Sequence, residues 1–276
     1  MPVSRNLRRL LTSQPIELPV FHPIAVRLQL LLETTDFTMD EVVRLCNEDQ
    51  ALAGQILRMA NSPLYSGRLR TETIKDAVIR LGAQQVTNLA MAASQAGLHV
   101  SDNAVIDAFL QRLWQHSHAC AFGAHWLARR LEFPQHADKA YMAGLLHDIG
   151  KLYLLKALER LDRVGEAQSL LAEKTVVEIF DELHVEKGCE LMQHWNMPKL
   201  FFNAVAYHHD PNFDVNDKVL TVVRLVNKAC RFRGIGLRHD PALAMHAEPE
   251  AALLEIGQVE LVELYEVLAN AQDFVP

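Results

Sequence analysis

Cysteine is scarce in this sequence, and the spacings that cysteine usually forms are missing. The 276 residues contain four cysteines and no CxxC pair, which argues against a disulfide framework and against a thiolate zinc site. No signal-peptide pattern opens the chain, so we expect a cytoplasmic protein. The four thiols lie in helical surroundings and are expected to be buried and reduced: Cys46, Cys120, Cys189 and Cys230.

Long apolar runs and an excess of positive charge are also lacking. Residues 81–100 contain no Asp, Glu, Lys or Arg, but their Gln, Asn, Ser and His side chains exclude a membrane span. The formal net charge of −7 disfavours a nucleic-acid-binding protein. The basic start of the chain is the exception, and Arg5, Arg8 and Arg9 predict a solvated terminal arm over residues 1–15.

Strand-like alternation, internal repeats and low-complexity tracts are absent, whereas helical periodicity runs through most of the chain. The sequence therefore predicts an all-α fold. Capping residues and glycines mark the ends of many helices. Helices are predicted over 24–33, 39–49, 50–60, 74–81, 83–96, 109–131, 144–155, 176–183, 185–195, 199–207 and 219–230, with a two-helix tail over 249–272 that breaks at Gly257.

The segment GLLHDIGKLYLL, residues 144–155, places two ionisable residues in a nearly continuous apolar helix. Burying an unpaired carboxylate is costly, so His147 and Asp148 are expected to bind a metal or an opposite charge. The alternative is that Asp148 pairs with Lys151 one turn later and His147 is an ordinary core histidine.

Other histidines decide between these interpretations if they return to the same place. In the helix over 109–131, His116 lies at the edge of the apolar stripe and points inward. His118 and His125 share the opposite side, which we expect to face solvent. His184 is predicted at the joint of two short helices, and His208 and His209 end the helix that begins after Pro198.

Two stretches of this chain resemble the HDOD domain, a bacterial helical module related to HD-type metal phosphohydrolases and HD-GYP cyclic-dinucleotide phosphodiesterases. The first is LCNEDQALAGQILRMANSPLYSG with TIKDAVIRLGAQQVTNLAM, and the second is HVEKGCELMQHWNMPKLFFNAVAYHHDP. Asp49-Gln50 stands where the family often has Asp-Pro. The resemblance covers residues 16–232, with an N-terminal helical half over 16–100 and an HD-like half over 101–232. A helical extension over 233–276 follows it.

The resemblance also implies a ligand set. In HD-GYP enzymes the corresponding residues hold two metals bridged by the aspartate, so His116, His147 and Asp148 would face one ion. His184, His208, His209 and the same Asp148 would face the other. Imidazoles with a carboxylate suit Fe, Mn, Zn or Ni.

The last helix departs from the hydrolase pattern. Asn227 stands where the hydrolases have a terminal aspartate, and its neutral amide oxygen is a weak ligand. Two divalent ions beside one carboxylate leave three uncompensated positive charges, whereas one ion leaves a single charge. One ion is therefore expected rather than two.

Two functions follow from these features. The first is a bacterial signalling protein that binds a partner protein without catalysis and keeps part of the metal site. The alternative is a metal-dependent phosphohydrolase acting on a nucleotide or phosphate ester, with Lys151 as a catalytic residue. Asn227 and the missing Gly-Tyr-Pro segment after His209 favour the first, and the retained histidines with Lys151 favour the second.

Overall fold

The computed structural model describes residues 5–12, 22–32, 34–62, 65, 70–131, 133–165 and 170–272. Within these ranges the regular structure is helical, without strands, which confirms the predicted all-α class. None of the described helices combines the length and the apolar character that crossing a bilayer needs. The helices are α1 Arg5–Thr12, α2 Pro23–Leu32, α3 Met39–Cys46, α4 Gln50–Ala60, α5 Ile74–Leu81, α6 Ala83–Ala96, α7 Ala104–Arg130, α8 Ala137–Leu146, α9 Ile149–Arg163, α10 Glu173–His194, α11 Lys199–Tyr207, α12 Lys218–Arg233, α13 Pro249–Leu253 and α14 Gln258–Gln272.

The chain divides into two compact units, one over residues 19–98 and one that combines the start of the chain with residues 99–273. In the first unit, short polar caps set where the helices begin. Thr38 and Glu41 form a capping box at α3, and Thr73 and Asp76 form another at α5. Gly82, with φ 85°, separates α5 from α6 as the sequence predicts.

Asn61, Pro63 and Gly67 predict a turn after α4, because Asn, Pro and Gly favour turns, and this turn lies only partly within the described residues. We expect Leu64 either to be exposed as a contact for a partner or to pack beneath the turn, and this residue lies outside the described ranges. Tyr65 is half-buried, and its hydroxyl is 3.0 Å from the amide nitrogen of Gln85.

The second unit is built around α7, whose apolar side chains are buried along most of its length. Helices α8, α12 and α14 pack on it, and α10 packs on α9. Gly150 makes the approach of α9 to α10 possible, because a Cβ atom at this position would lie 1.8 Å from the carbonyl oxygen of His184. The candidate site lies among these helices.

The segment over residues 144–155 is not one helix, contrary to the prediction. Helix α8 ends at Leu146 and α9 begins at Ile149, with Asp148 at φ −105° and ψ 16° between them. Neighbouring side chains on a continuous helix point about 100° apart. The break lets His147 and Asp148 meet, with Nε2 of His147 3.3 Å from Oδ2 of Asp148.

The two short helices predicted on either side of His184 are one helix, α10. The helix continues through His184, where the sequence predicts a joint, and Gly188 lies inside it. A Cβ atom at Gly188 would lie 2.5 Å from Cγ1 of Val205, so the glycine admits α11 without ending α10.

Two further expectations are wrong. Part of the predicted solvated arm forms α1, where Leu11 is buried and Arg8 pairs with Glu186. His118 is buried rather than facing solvent, because α14 covers that side of α7 and the ring nitrogen Nδ1 of His118 lies 3.2 Å from the Ala271 carbonyl oxygen. A later part of the sequence covers each of these surfaces, and helical periodicity within one helix does not reveal that.

Candidate metal centre

Asp148 lies at the centre of the predicted residues and is 1% exposed. Its Oδ2 atom is 3.3 Å from Nε2 of His116 and 3.3 Å from Nε2 of His147. Its Oδ1 atom is 3.7 Å from Nε2 of His184 and 3.4 Å from Nε2 of His208. The carboxylate therefore stands between two pairs of imidazoles that come from four different parts of the chain.

Main-chain carbonyl groups orient these imidazoles. The Nδ1 atom of His147 is 2.8 Å from the Gly144 oxygen, and that of His184 is 2.5 Å from the Phe180 oxygen. The Nδ1 atom of His208 contacts the last turn of α11, 2.9 Å from the Val205 oxygen. A carbonyl oxygen only accepts, so each Nδ1 donates its hydrogen and each ring turns its Nε2 atom towards Asp148.

The Oδ1 side of Asp148 gathers acceptors without a donor. The two Nε2 atoms of His184 and His208 are 3.3 Å apart, although both carry lone pairs. Oδ1 of Asp148 is buried and has no hydrogen-bond partner among the residues that the structure describes. Two imidazole nitrogens on one tetrahedral zinc ion lie about 3.3–3.4 Å apart, which follows from metal–nitrogen distances of about 2.0–2.1 Å. These residues therefore fit a bound cation.

The protonation states also suit a metal. Burial lowers the pKa of His184 to about 3 and that of His208 to about 4, so both rings are neutral near pH 7. Burial alone would raise the pKa of Asp148, but the charge of Lys151 and the neighbouring His147 hold it well below its usual range. The centre thus presents neutral nitrogen ligands and an ionised carboxylate.

His209 completes the Oδ1 side. It is exposed, whereas Asp148, His184 and His208 are buried, and one ligand atom from each of the four lies within 4.8 Å of the others. The ring centroid of His209 is 4.1 Å from that of His208 and 5.3 Å from that of His184. Three imidazoles and one carboxylate can thus converge on a single ion.

The Oδ2 side of Asp148 differs because a cation already lies there. The Lys151 ammonium nitrogen is 2.5 Å from Oδ2, which is the ion pair considered as the alternative to a metal. Burial lowers the pKa of His116, whereas Cys120 and Asp148 raise it, and the net direction is upward. Burial raises the pKa of the Cys120 thiol well above its usual range, so the thiol is neutral and Asp148 is the group that favours a proton on His116.

A pocket of about 560 Å³, counting its open mouth, leads from the surface to this centre. Asn227, which is buried, lines it together with His116, Asp148 and His209. Two arginines that the sequence analysis did not select also line it. Arg238 pairs with Asp181 at the pocket wall, and Arg231 pairs with Asp240 at 3.6 Å.

Two cysteines also meet beside the centre, which the sequence analysis did not foresee. The Sγ atoms of Cys120 and Cys230 are 3.6 Å apart, and Cys120 Sγ is 3.7 Å from Nε2 of His116. A signal was present, because Cys120 lies one helical turn after His116 and Cys230 lies one turn after Asn227. Both thiols are buried and unoxidised, as expected, whereas Cys189 is free but only half-buried, contrary to the expectation.

A sequence model of the HDOD domain family matches residues 18–211, which is most of the chain. The chain belongs to the HDOD family. An uncharacterized protein of Treponema pallidum (strain Nichols) is 26% identical over 225 residues, or 78% of this HDOD chain. The chain spans only 42% of the length of that relative.

Solved structures share the same helical fold. An HDOD domain protein of unknown function from Geobacter sulfurreducens has a TM-score of 0.75 at 23% identity, with 94% of this chain and 92% of that chain covered. A proposed metal-dependent phosphohydrolase from Shewanella amazonensis SB2B has a TM-score of 0.73 at 19% identity, with 97% and 96% covered. At these identities the likeness shows the fold alone.

Proposed function

We propose that this HDOD protein binds one transition metal ion through Asp148, His184, His208 and His209, and that it acts in bacterial regulation by binding a signalling protein without catalysis. The observation that carries the metal site is the buried Oδ1 atom of Asp148, which has no donor within the described part of the chain and faces the oriented Nε2 atoms of His184 and His208. Three imidazoles and a carboxylate suit Fe, Mn, Zn or Ni.

Two features of the Oδ2 side support a single ion. Lys151 neutralises that oxygen, and its ammonium group repels a second cation. Asn227 supplies a neutral amide where a second carboxylate is needed to balance the charge of two ions. Two-metal hydrolysis needs both ions, one to activate water and one to stabilise the leaving oxygen, so a single ion favours a binding role.

The phosphohydrolase function is the second candidate, and the charge of the pocket favours it. Lys151, Arg231 and Arg238 line the pocket beside the centre, and such cations bind phosphate groups. A bound metal ion would supply Lewis-acid polarisation of a phosphate oxygen at that position. Lys151 would then hold the Asp148 carboxylate, and the arginines would orient the anion.

The metal site is tested by replacing its one carboxylate. We expect Asp148→Ala to reduce the metal content of protein prepared anaerobically with Fe and Mn, measured by elemental analysis, from about one ion per chain to a residual level, because the centre loses its only anionic ligand. Asp181→Ala is the matched control, because Asp181 lines the same pocket but pairs with Arg238. Wild-type protein without metal would show that the cluster is structural.

A further inference from the structure

Arg224 is a buried arginine of α12 that contacts the main chain on both sides of the His208–His209 pair. Its Nη1 atom donates to the Tyr207 carbonyl at 2.7 Å and to the Asp210 carbonyl at 2.7 Å. The guanidinium also stacks over the Phe213 ring, 3.9 Å from the centroid. One side chain therefore fixes the residue before the pair and the residue after it.

Glu250 holds Arg224 in that place. Its side chain is fully buried at the start of α13, and its Oε1 atom accepts from Nε of Arg224 at 2.8 Å. Lys228, one turn further along α12, donates to the other oxygen of Glu250 at 2.6 Å. Burial alone would raise the pKa of Glu250, but hydrogen bonds from Lys228 and Arg224 lower it, so the carboxylate is ionised.

His209 depends on this arrangement more than the other candidate ligands do. His147, His184 and His208 each donate a ring hydrogen to a carbonyl group of their own helix, whereas no such bond is present for His209 within the described residues. Its ring is exposed and lies beyond the end of α11. The position of His209 is therefore set by its main chain, which Arg224 holds at Tyr207 and Asp210.

The segment after α12 also contacts the opposite side of the centre. The Ile235 carbonyl accepts from Nδ1 of His116 at 3.1 Å. Gly236 has φ 107°, and a Cβ atom on it would lie 2.9 Å from Cβ of His116. Two separate contacts thus connect the residues after 233 with the candidate ligands.

We propose that Arg224 and Glu250 are positioning residues for His208 and His209. Both residues lie beyond the matched residues 18–211, so the part of the chain after residue 211 completes the metal centre. This inference rests on the proposed metal site. Groups that hold metal ligands in place change metal affinity about 10- to 100-fold when they are removed, because they fix the orientation of those ligands.

The test compares Arg224→Met with Lys228→Met. Both changes remove one cation from the same carboxylate of Glu250, but only Arg224 contacts the carbonyl groups beside the histidine pair. Zn²⁺ affinity is measured by competition with a chelating dye. Ring nitrogen NMR spectra of metal-free protein, assigned with His208 and His209 variants, report the geometry of the pair.

We expect Arg224→Met to weaken Zn²⁺ binding about 10- to 100-fold and to shift the ring signals of His208 and His209. Lys228→Met should leave both measurements close to wild type. Equal changes in the two variants, or unchanged rings in Arg224→Met, would overturn the inference.

If Arg224→Met does not fold, Arg224→Lys gives the same comparison, because a single ammonium group keeps the charge but lacks the fork that reaches Glu250 and both carbonyls. A smaller change in the same direction is expected. If wild-type protein binds no Zn²⁺, the proposed metal site fails. The ring spectra of metal-free protein then decide the positioning role by themselves.

Discussion

The two oxygen atoms of Asp148 meet different surroundings, and this difference governs the chemistry of the centre. Oδ2 has Lys151 at 2.5 Å, whereas Oδ1 is buried and meets no hydrogen-bond donor from the described ranges. A sequence shows one carboxylate and does not show which oxygen is paired. The ion pair with Lys151 is present at Oδ2, and the proposed metal ion is assigned to Oδ1.

Asn227 allows a direct test of why one ion is expected. Asn227→Asp is nearly isosteric and adds one negative charge beside His116, so metal content should rise from about one towards two ions per chain. Elemental analysis measures the stoichiometry, and hydrolysis of a generic phosphodiester measures activity in parallel. Wild-type protein should not hydrolyse cyclic dinucleotides.

Asn227→Ala is the control for that substitution, because it removes the amide without adding charge and should leave one ion bound. Two ions in the wild-type protein would mean that Asn227, water or an anion suffices as a ligand. The phosphohydrolase function would then become the leading proposal.

The histidines of the cluster were identified because the resemblance supplies residues that are distant in sequence. Periodicity alone predicts correctly that His116 points inward. It wrongly predicts that His118 faces solvent, because it does not reveal that α14, from another part of the chain, covers His118. The role of Arg224 was also hidden. Its partners include the carbonyls of Tyr207 and Asp210, which carry no side-chain signal.

Side-chain caps made several helix starts predictable, but not that of α7, which Asn103 caps and which begins at Ala104 rather than at the predicted residue 109. Thr38, Asp49 and Thr73 cap helices that begin where the sequence predicts. The break between α8 and α9 has no proline or glycine at the boundary residues His147 and Asp148. It is stabilised by contacts with distant residues, so local propensity does not reveal it.

A single methyl group added at Gly150 tests the close contact between α9 and α10. Gly150→Ala should lower the free energy of unfolding by about 3 kcal/mol, because the added Cβ meets the main-chain oxygen of His184, which cannot move without shifting α10. Metal affinity should fall as well, since His184 moves with the helix. Denaturant unfolding and dye competition measure the two effects.

Gly54→Ala is the comparison for this change, because no atom lies within 4 Å of a Cβ atom at Gly54 in α4. It should stabilise the protein by up to about 1 kcal/mol through helix propensity. A Gly150→Ala protein as stable as wild type would show that α9 and α10 can separate without loss.

On the scale of the whole molecule, His118 makes stability depend on pH. Burial lowers the pKa of His118 to about 4, although its hydrogen bond to Ala271 opposes this shift. The unfolded chain, with a histidine pKa near 6.5, therefore binds the proton more readily than the folded chain does. The contribution of His118 to the free energy of unfolding is fully present above pH 6.5 and is lost as the pH falls towards 4.

We expect His118→Leu to reduce the loss of unfolding free energy between pH 6.5 and pH 4 by up to about 3 kcal/mol. Denaturant titrations at several pH values measure this slope. The same slope in both proteins would mean that His118 is protonated in the folded chain or that α14 separates from α7 before His118 takes up the proton.

The proposed ligands come from positions far apart along the chain, and this would give a bound ion a second effect. Asp148 lies between α8 and α9, His184 lies within α10, and His208 follows α11. An ion held by all three is a reversible cross-link that closes two long loops, and the unfolded chain has no equivalent site. At a free ion concentration 100 times its dissociation constant, such a link adds about 2.7 kcal/mol to stability. The amount of folded HDOD protein, and with it the surface offered to a partner, would then follow the metal supply of the cell.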